Sequence, residues 1–425
     1  MTETMISHSA ALELDRLDPL AAFRDQFHIP HIDGIPDLYL VGNSLGLVPK
    51  RTAGYVQEEL ERWAELGVRG HFAGERPWMG YHECLAEPMA AIVGGQADEV
   101  VTMNTLTVNL HLMMATFYQP TTSRNRILIE EHAFPSDKNA VESQIRIKGY
   151  SPRESLIEVA PGKDGLLSTE TICQSIRDNR DTLALVLLPG VQYYTGQILD
   201  MPEITKTAHE HDIIVGFDLA HAAGNIELHM HDWDVDFACW CSYKYLNSGP
   251  GSLAGCFIHR RHASNTTLNR LSGWWGHDKR TRFEMSGEFA PIATAEGWQL
   301  SNPPILSMAA IRASLEVFTE SGGLSELNKK SKRQGEFFRD CLKQKLADRV
   351  HVISPPGVSG CQLSLEVKLD GVDGKTVHQA LESNGVRTDW REPNVIRAAP
   401  TPLYNTYEEI WRFVDVLDGE LSSGN

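Results

Sequence analysis

The chain has 425 residues, of which 42% are hydrophobic and 22% are charged, and its formal net charge is −17. These proportions are typical of a folded protein of two or three domains and exclude a wholly disordered chain. The acidic balance repels phosphate groups, which argues against nucleic acids and anionic membranes as partners.

The N-terminal segment has no basic region followed by an apolar core, so no signal peptide is expected. No apolar run reaches the roughly 20 residues that a membrane-spanning helix needs. The seven cysteines show no zinc-ligand spacing, and Cys239 and Cys241 lie in an apolar run. We therefore expect a cytoplasmic protein with reduced, buried thiols and no metal site.

Short aliphatic segments alternate with amphipathic ones through much of the chain. Strands are predicted at residues 126–129, 183–188 and 213–217, and helices at 168–179 and 201–211. This alternation predicts a parallel sheet that is covered by helices on both faces.

The C-terminal part has the pattern of a smaller α+β unit. Its predicted helices and strands lie at residues 307–321, 325–347, 362–367, 375–383, 394–399 and 406–421. We expect an N-terminal segment at 1–45 that packs on this unit, a large α/β domain at 46–304 and a small domain at 305–425. The basic run at 329–333 is interpreted as a solvated helix face.

Two ionisable residues follow predicted strands. Asp218 comes directly after the strand at 213–217, and ligands of α/β sheets bind at the carboxyl ends of strands. Lys244 follows the apolar run at 237–240, where an unpaired buried ammonium would be costly. A desolvated lysine is suited to forming a Schiff base. A lysine that extends to the surface is an equally good interpretation of this spacing.

One strand end carries Asp218, Ala220 and His221, and a second carries Ser242 and Lys244. Both resemble the strand ends of fold-type I pyridoxal phosphate (PLP) enzymes of the class V aminotransferase group. Further motifs, in order from about residue 37 to 410, are similar to those of kynureninases. They are GNSLGL (42–47), RPW (76–78), TLTVNLH (105–111), FPSD (134–137), YYTGQ (193–197), SYKYLN (242–247), GWWGH (273–277), SNPPIL (301–306) and IRAAPTPLYN (396–405).

The resemblance implies PLP-dependent hydrolysis of L-kynurenine or 3-hydroxy-L-kynurenine to anthranilate or 3-hydroxyanthranilate and L-alanine. It places the chain in tryptophan catabolism, the kynurenine pathway and NAD biosynthesis, with the preferred substrate left open. It also implies a large domain with a mainly parallel seven-stranded sheet. The expected assembly is a homodimer with the active site at the subunit interface.

The resemblance also assigns residue roles. The catalytic residues are Lys244, which holds the cofactor, Asp218, which keeps a proton on the ring nitrogen, and Tyr243, an acid or base on the substrate carbonyl. The remaining cofactor-binding residues are Leu106, Thr107, Phe134, Pro135, Ser136, Asp137, His221, Trp274 and Asn302.

Substrate-binding roles are implied for four residues. Arg397 offers a guanidinium fork for the α-carboxylate. His71 and Asn302 face the aromatic amine, and Ser44 lies in the pocket. Trp274 and Asn302 are expected to come from a second subunit.

The chain departs from the family pattern at one position. Some relatives carry a serine that contacts the cofactor where this chain has Pro189. Proline offers neither a hydroxyl nor an N–H, so Pro189 is left outside the predicted site.

Two alternatives are considered. The first is another class V-type PLP enzyme, such as a cysteine desulfurase or a selenocysteine lyase. A cysteine desulfurase needs a reactive, exposed thiol on a mobile loop, whereas Cys341 falls in a predicted helix, which counts against that activity. A non-catalytic relative of the same fold is the other alternative. The joint presence of Lys244, Asp218 and Arg397 argues against it.

Overall fold

A computed structural model describes residues 6–284 and 287–423 of the chain. The first five residues of the predicted N-terminal segment and the last two of the predicted small domain lie outside the described residues.

The described residues form thirteen α-helices and fifteen strands. The helices are α1 His8–Arg16, α2 Thr52–Leu66, α3 Ala86–Val93, α4 Leu106–Phe117, α5 Pro135–Ile147, α6 Pro152–Ser155, α7 Thr169–Asp178, α8 Met201–His209, α9 Arg260–Ala263, α10 Ile305–Glu320, α11 Gly323–Leu346, α12 Gly374–Ser383 and α13 Tyr407–Ser423. The strands are β1 His31–Ile32, β2 Ile35–Pro36, β3 Leu38–Tyr39, β4 Val100–Met103, β5 Arg126–Glu130, β6 Leu156–Val159, β7 Leu183–Pro189, β8 Ile214–Asp218, β9 Phe237–Trp240, β10 Ala254–Ile258, β11 Val350–Val352, β12 Leu363–Val367, β13 Val386–Arg387, β14 Asp389–Arg391 and β15 Val395–Ala398.

A seven-stranded sheet forms the larger body of the molecule, in the order β4-β10-β9-β8-β7-β5-β6. The strand β10 runs antiparallel to both β4 and β9, and the other neighbours are parallel. The prediction of a mainly parallel seven-stranded sheet in an α/β fold is therefore confirmed.

Both faces of this sheet are buried, because successive side chains of a strand point to opposite faces. On β7, Val186 and Leu188 pack into one hydrophobic cluster, and Leu185 and Leu187 pack into another on the opposite face. A strand covered on both sides must be apolar at nearly every position. This requirement explains why these strands could be predicted from short aliphatic runs, with ends within two residues of those observed.

The C-terminal residues build a four-stranded antiparallel sheet in the order β11-β12-β15-β14. Residues from the start of the chain contact this C-terminal part, because β3 pairs with β13 in a separate two-stranded sheet and α1 packs on α13. The helix α10 packs on α2 instead. The domain boundaries at residues 45 and 304 stay a prediction.

The interpretation of residues 329–333 as a solvated face is wrong at Lys330 and Ser331, which are both buried. The Lys330 ammonium lies 2.7 Å from a carboxylate oxygen of Asp18, a residue of the N-terminal segment. Burial lowers the pKa of Lys330, and the Asp18 carboxylate opposes this shift. The correction has a simple cause: the segment that covers this helix face is distant in sequence.

Among the helices of the described residues, none combines the length and the apolar character that crossing a membrane requires. All seven cysteines are free thiols, and Cys84 is the exposed one among them.

Candidate active site

A cavity of about 320 Å³ lies at the carboxyl ends of three neighbouring strands. Glu130, Pro189 and Asp218 are the last residues of β5, β7 and β8, and all three line it. The topology of a parallel sheet brings these ends to one edge, where ligands of α/β folds bind. The structure brings together these predicted site residues in the cavity wall: Ser44, Leu106, Thr107, Phe134, Ser136, Asp137, Asp218, His221, Tyr243 and Lys244.

Lys244 lies in the loop after β9 and is partly buried in the cavity wall. Its amine is 3.0 Å from Nε2 of His221. Gly46 supports the loop from behind, because its N–H donates to the Tyr243 carbonyl over 2.8 Å. A Cβ at position 46 would lie 2.3 Å from the Lys244 carbonyl oxygen, so only glycine fits there.

Two aspartates face each other beside this lysine. Asp218 accepts a hydrogen bond from the Ala220 N–H over 2.6 Å and another from Asp137. Desolvation and the Asp218 charge raise the pKa of Asp137 well above its usual range, and desolvation also raises the pKa of Asp218. A hydrogen bond between two carboxyls needs one proton. We therefore infer that the pair shares a proton that resides on Asp137.

His221 is buried, and desolvation together with the Lys244 charge lowers its pKa well below the usual value. The ring is therefore neutral and accepts at Nε2 from the Lys244 amine. Its Nδ1 has no hydrogen-bond partner among the described residues. An unpaired buried ring N–H is costly unless a ligand atom accepts from it.

The opposite end of the cavity is suited to an anion. The helix α4 begins at Leu106, and its first-turn N–H groups have no partners within the helix. The hydroxyls of Thr107 and Ser136 lie 2.8 Å apart, and both residues line the cavity. Backbone donors and hydroxyls at a helix N-terminus are a common phosphate site.

These residues fit PLP. An amine that can bind an aldehyde, a buried carboxyl for a ring nitrogen and an anion site for a phosphate lie around one cavity. The Phe134 ring is 42% exposed at this cavity, so a face remains available for stacking.

Five predicted site residues are not among those that line the cavity within residues 6–284 and 287–423. Pro135 is the first residue of α5, immediately after Phe134. The His71 ring contacts the Phe72 and Trp78 rings. Trp274 and Asn302 are on the surface, and the Trp274 side chain is 47% exposed. Their roles in binding stay predictions.

Arg397 is 1% exposed and lies behind the cavity wall. One terminal nitrogen donates to the Tyr193 carbonyl over 2.6 Å, and the other lies 2.9 Å from Asp389. Its Nε has no hydrogen-bond partner in the described chain. Since a guanidinium carries five N–H donors, capacity remains for a carboxylate.

Pro189, which was left outside the predicted site, lies in the cavity wall, and its lack of the cofactor contact made by a serine in some relatives stays a prediction. Its missing hydroxyl and N–H do not remove it from the wall, because the end of β7 fixes its position between Glu130 and Asp218.

Sequence reasoning missed six further residues of the wall. Glu130 was the easiest of them to predict from the sequence, since it follows a predicted strand in the same way as Asp218. Arg391 lies on a three-residue strand that no periodicity indicates. The complete set is Asn43, Thr105, Glu130, Val191, Tyr193 and Arg391.

The sheet and the lysine–aspartate cavity together define a PLP enzyme of fold type I. Solved structures of this fold are similar to the chain. They include the cysteine desulfurase CsdA from Escherichia coli, with a TM-score of 0.76, 16% identity and coverage of 95% of this chain and 98% of that one. A mutant of C-DES with glycine covalently linked to its PLP cofactor gives a TM-score of 0.75, 17% identity and coverage of 90% and 96%.

Sequence comparisons are more specific. The kynureninase C-terminal domain family matches residues 327–417, and the DegT/DnrJ/EryC1/StrS aminotransferase family matches residues 80–231. A kynureninase from Koribacter versatilis is 50% identical over 408 residues, 95% of each chain. One from Myxococcus xanthus is 49% identical over 417 residues, 97% of each chain. The chain belongs to the kynureninase family.

We predict that Gly46→Ala displaces the Lys244 loop, because the new Cβ meets backbone atoms that cannot rotate away. The expected loss is about 1–3 kcal/mol of unfolding free energy, typical of overpacking. Denaturant unfolding of the protein and its variant measures this loss. Gly54→Ala is the matched control, because no atom lies within 4 Å of its added Cβ on α2. Equal stability of the two variants would contradict the prediction.

Proposed function

We propose that the protein is a PLP-dependent hydrolase that cleaves the Cβ–Cγ bond of L-kynurenine to give anthranilate and L-alanine. The observation that carries the proposal is the placement of Lys244 beside His221 and the Asp137–Asp218 pair. The placement occurs in a chain about half identical to proteins named kynureninase over nearly its whole length.

The cofactor would be held by groups that the cavity already offers. Lys244 would bind its aldehyde, and Asp218 would face the ring nitrogen. The first turn of α4, with Thr107 and Ser136, would hold the phosphate. Phe134 would cover one ring face. When bound, PLP supplies an electron-withdrawing ring that makes the Cα–H bond of an amino acid acidic.

The protein's own part in the reaction is to place and move protons. The Lys244 amine is suited to take the proton from substrate Cα. Burial raises the pKa of Tyr243, so its hydroxyl keeps its proton. That hydroxyl can donate to the oxygen of the γ-carbonyl when water adds to the carbonyl carbon. Neutral His221 accepts from the lysine and fixes its position.

The substrate carboxylate would bind at Arg397. Asp389 and the Tyr193 carbonyl hold this guanidinium in place before a ligand arrives, which lowers the entropic cost of binding. Ser44, His71 and Asn302 are retained as proposed contacts for the rest of the substrate.

Lys244→Ala should lower kcat for L-kynurenine by more than about 1,000-fold, because no other amine of the cavity replaces the lost one. Anthranilate formation with added PLP measures this, and 3-hydroxy-L-kynurenine is assayed in parallel to determine substrate preference. Lys138→Ala, which removes an exposed lysine of α5, is the control. Appreciable turnover by Lys244→Ala would refute the assignment.

Arg397→Ala should raise the KM for L-kynurenine by roughly 10- to 100-fold, the range expected for hydrogen bonds to a charged group. The kcat should fall less, because the carboxylate is held in both ground and transition states. Steady-state kinetics separates the two constants. Arg412→Ala, on the exposed side of α13, is a control that should keep the original KM. An unchanged kcat/KM in Arg397→Ala would exclude this role.

Cysteine desulfurase activity is not favoured, although the similar solved structures include desulfurases. Cys341 is buried in α11, and burial raises the pKa of its thiol to about 12. A thiol in that state is a poor nucleophile. An assay for sulfide released from L-cysteine distinguishes this activity from kynurenine hydrolysis.

We further propose a cytoplasmic homodimer that acts in tryptophan catabolism, with Trp274 and Asn302 completing the partner's cavity. Trp274 and Phe283 form an exposed aromatic pair, with ring centroids 5.9 Å apart and exposures of 47% and 58%. This exposed apolar pair supports the proposed interface at Trp274.

Phe283→Asp should therefore shift the protein toward monomers and lower its turnover, since a charge replaces a buried interface ring. Sedimentation velocity measures the mass. Ile147→Asp, at an exposed residue on α5, is the control and should stay dimeric. A monomeric unaltered protein with full activity would contradict the dimer proposal.

A further inference from the structure

Glu130 is a buried carboxyl that none of the roles above uses. It ends β5, is 2% exposed and lines the cavity. One of its carboxyl oxygens, Oε2, is buried and has no hydrogen-bond partner among the described residues.

The charges around Glu130 disfavour its ionised form. Desolvation by burial raises the pKa of Glu130 to about 8; the nearby Gln192 side chain opposes this shift, and the charge of Asp218 on β8 adds to it. Four other ionisable groups line the same cavity: Asp137 on α5, Tyr193 after β7, Lys244 after β9 and Arg391 on β14. Glu131, His132 and Glu392 line the neighbouring depression on its other side.

Glu130 shares the cavity wall with Tyr193 and Arg391, and the Tyr193 carbonyl accepts a hydrogen bond from Arg397. Burial raises the pKa of Tyr193, the Glu130 charge raises it further, and the charges of Arg391 and Arg397 oppose this shift. Glu130 and the two arginines therefore all act on Tyr193. Asp389 links the two arginines, at 3.3 Å from Arg391 and 2.9 Å from Arg397.

We propose that Glu130 is a substrate-binding residue that carries a proton and donates a hydrogen bond from its carboxyl group to the α-carboxylate of the bound amino acid. A buried donor without a partner costs free energy, and a ligand carboxylate would supply the missing acceptor. This inference rests on the proposed function, because it takes an α-amino acid as the ligand.

The proposal has a pH signature. Below about pH 8 the protonated carboxyl donates to the ligand; above it the carboxylate has no proton to donate and repels the ligand's negative charge. The affinity for an α-carboxylate should therefore fall as the pH rises through this range.

The test uses the PLP-loaded protein and L-kynurenine from about pH 6.5 to about pH 9.5. We expect KM to rise about tenfold across the series, the value of one hydrogen bond to a charged group, while kcat changes less. Glu130→Gln keeps a donor but cannot ionise, so its KM should stay flat. Glu130→Ala should show a high KM already at neutral pH.

Glu131→Gln is the matched control, because it removes a carboxyl one residue along the chain, outside this cavity, and should follow the unaltered protein. A flat KM series in the unaltered protein, or an equal rise in Glu130→Gln, would overturn the proposal.

Binding of L-alanine to the PLP-loaded protein, followed by cofactor absorbance over the same pH series, does not depend on turnover. If L-kynurenine is not hydrolysed, the proposed function fails. The Glu130 inference then stands if alanine binding weakens with pH in the unaltered protein and not in Glu130→Gln, and it falls if both behave alike.

Discussion

The structure depends on how a small cavity accommodates one amine and three carboxyls. Lys244 shares the cavity wall with Glu130, Asp137 and Asp218. Full ionisation of all three acids would leave an excess of negative charge in a desolvated space, which is costly. The raised pKa values of Glu130 and Asp137 and the neutral ring of His221 avoid this cost. The positions of protons therefore contribute to the charge balance together with the two cations of the wall, Lys244 and Arg391.

That balance requires the cavity wall to be rigid, and the wall is built from distant parts of the chain. The ends of β5, β7 and β8 supply one side. Gly46 holds the Lys244 loop through the Tyr243 carbonyl, and the segment that precedes Gly46 pairs with the C-terminal part of the chain through β3 and β13. A shift of the segment relative to the sheet would move both the lysine and the arginines.

The sequence was informative where local pattern and burial agree. Strands buried on both faces are apolar at every position, so β7 and β9 were evident as aliphatic or aromatic runs. Asp218 and Lys244 stood out as polar residues at the ends of such runs. The assignment to them of particular roles, in contrast, came from the family resemblance and not from spacing.

Features that depend on a partner distant in sequence were not predictable. Lys330 lies in a basic run that resembles a solvated face, and only the packing of Asp18 against it makes it buried. Pro189 was excluded on its own chemistry, although its strand position places it in the wall. Arg391 belongs to a strand too short to produce a periodic signal.

Asp389 shows why these distant pairings matter for function. It lies opposite Arg397 in the antiparallel register of β14 and β15, so a backbone pairing places its carboxylate beside the guanidinium. The carboxylate orients both arginines yet also competes with a ligand for them. A substrate carboxylate therefore gains most if it also receives a hydrogen bond that Asp389 cannot, and a protonated Glu130 is suited to supply one. Selectivity for α-amino acids would then arise from two arginines that Asp389 orients before the ligand binds and from one proton that Glu130 can donate to the ligand.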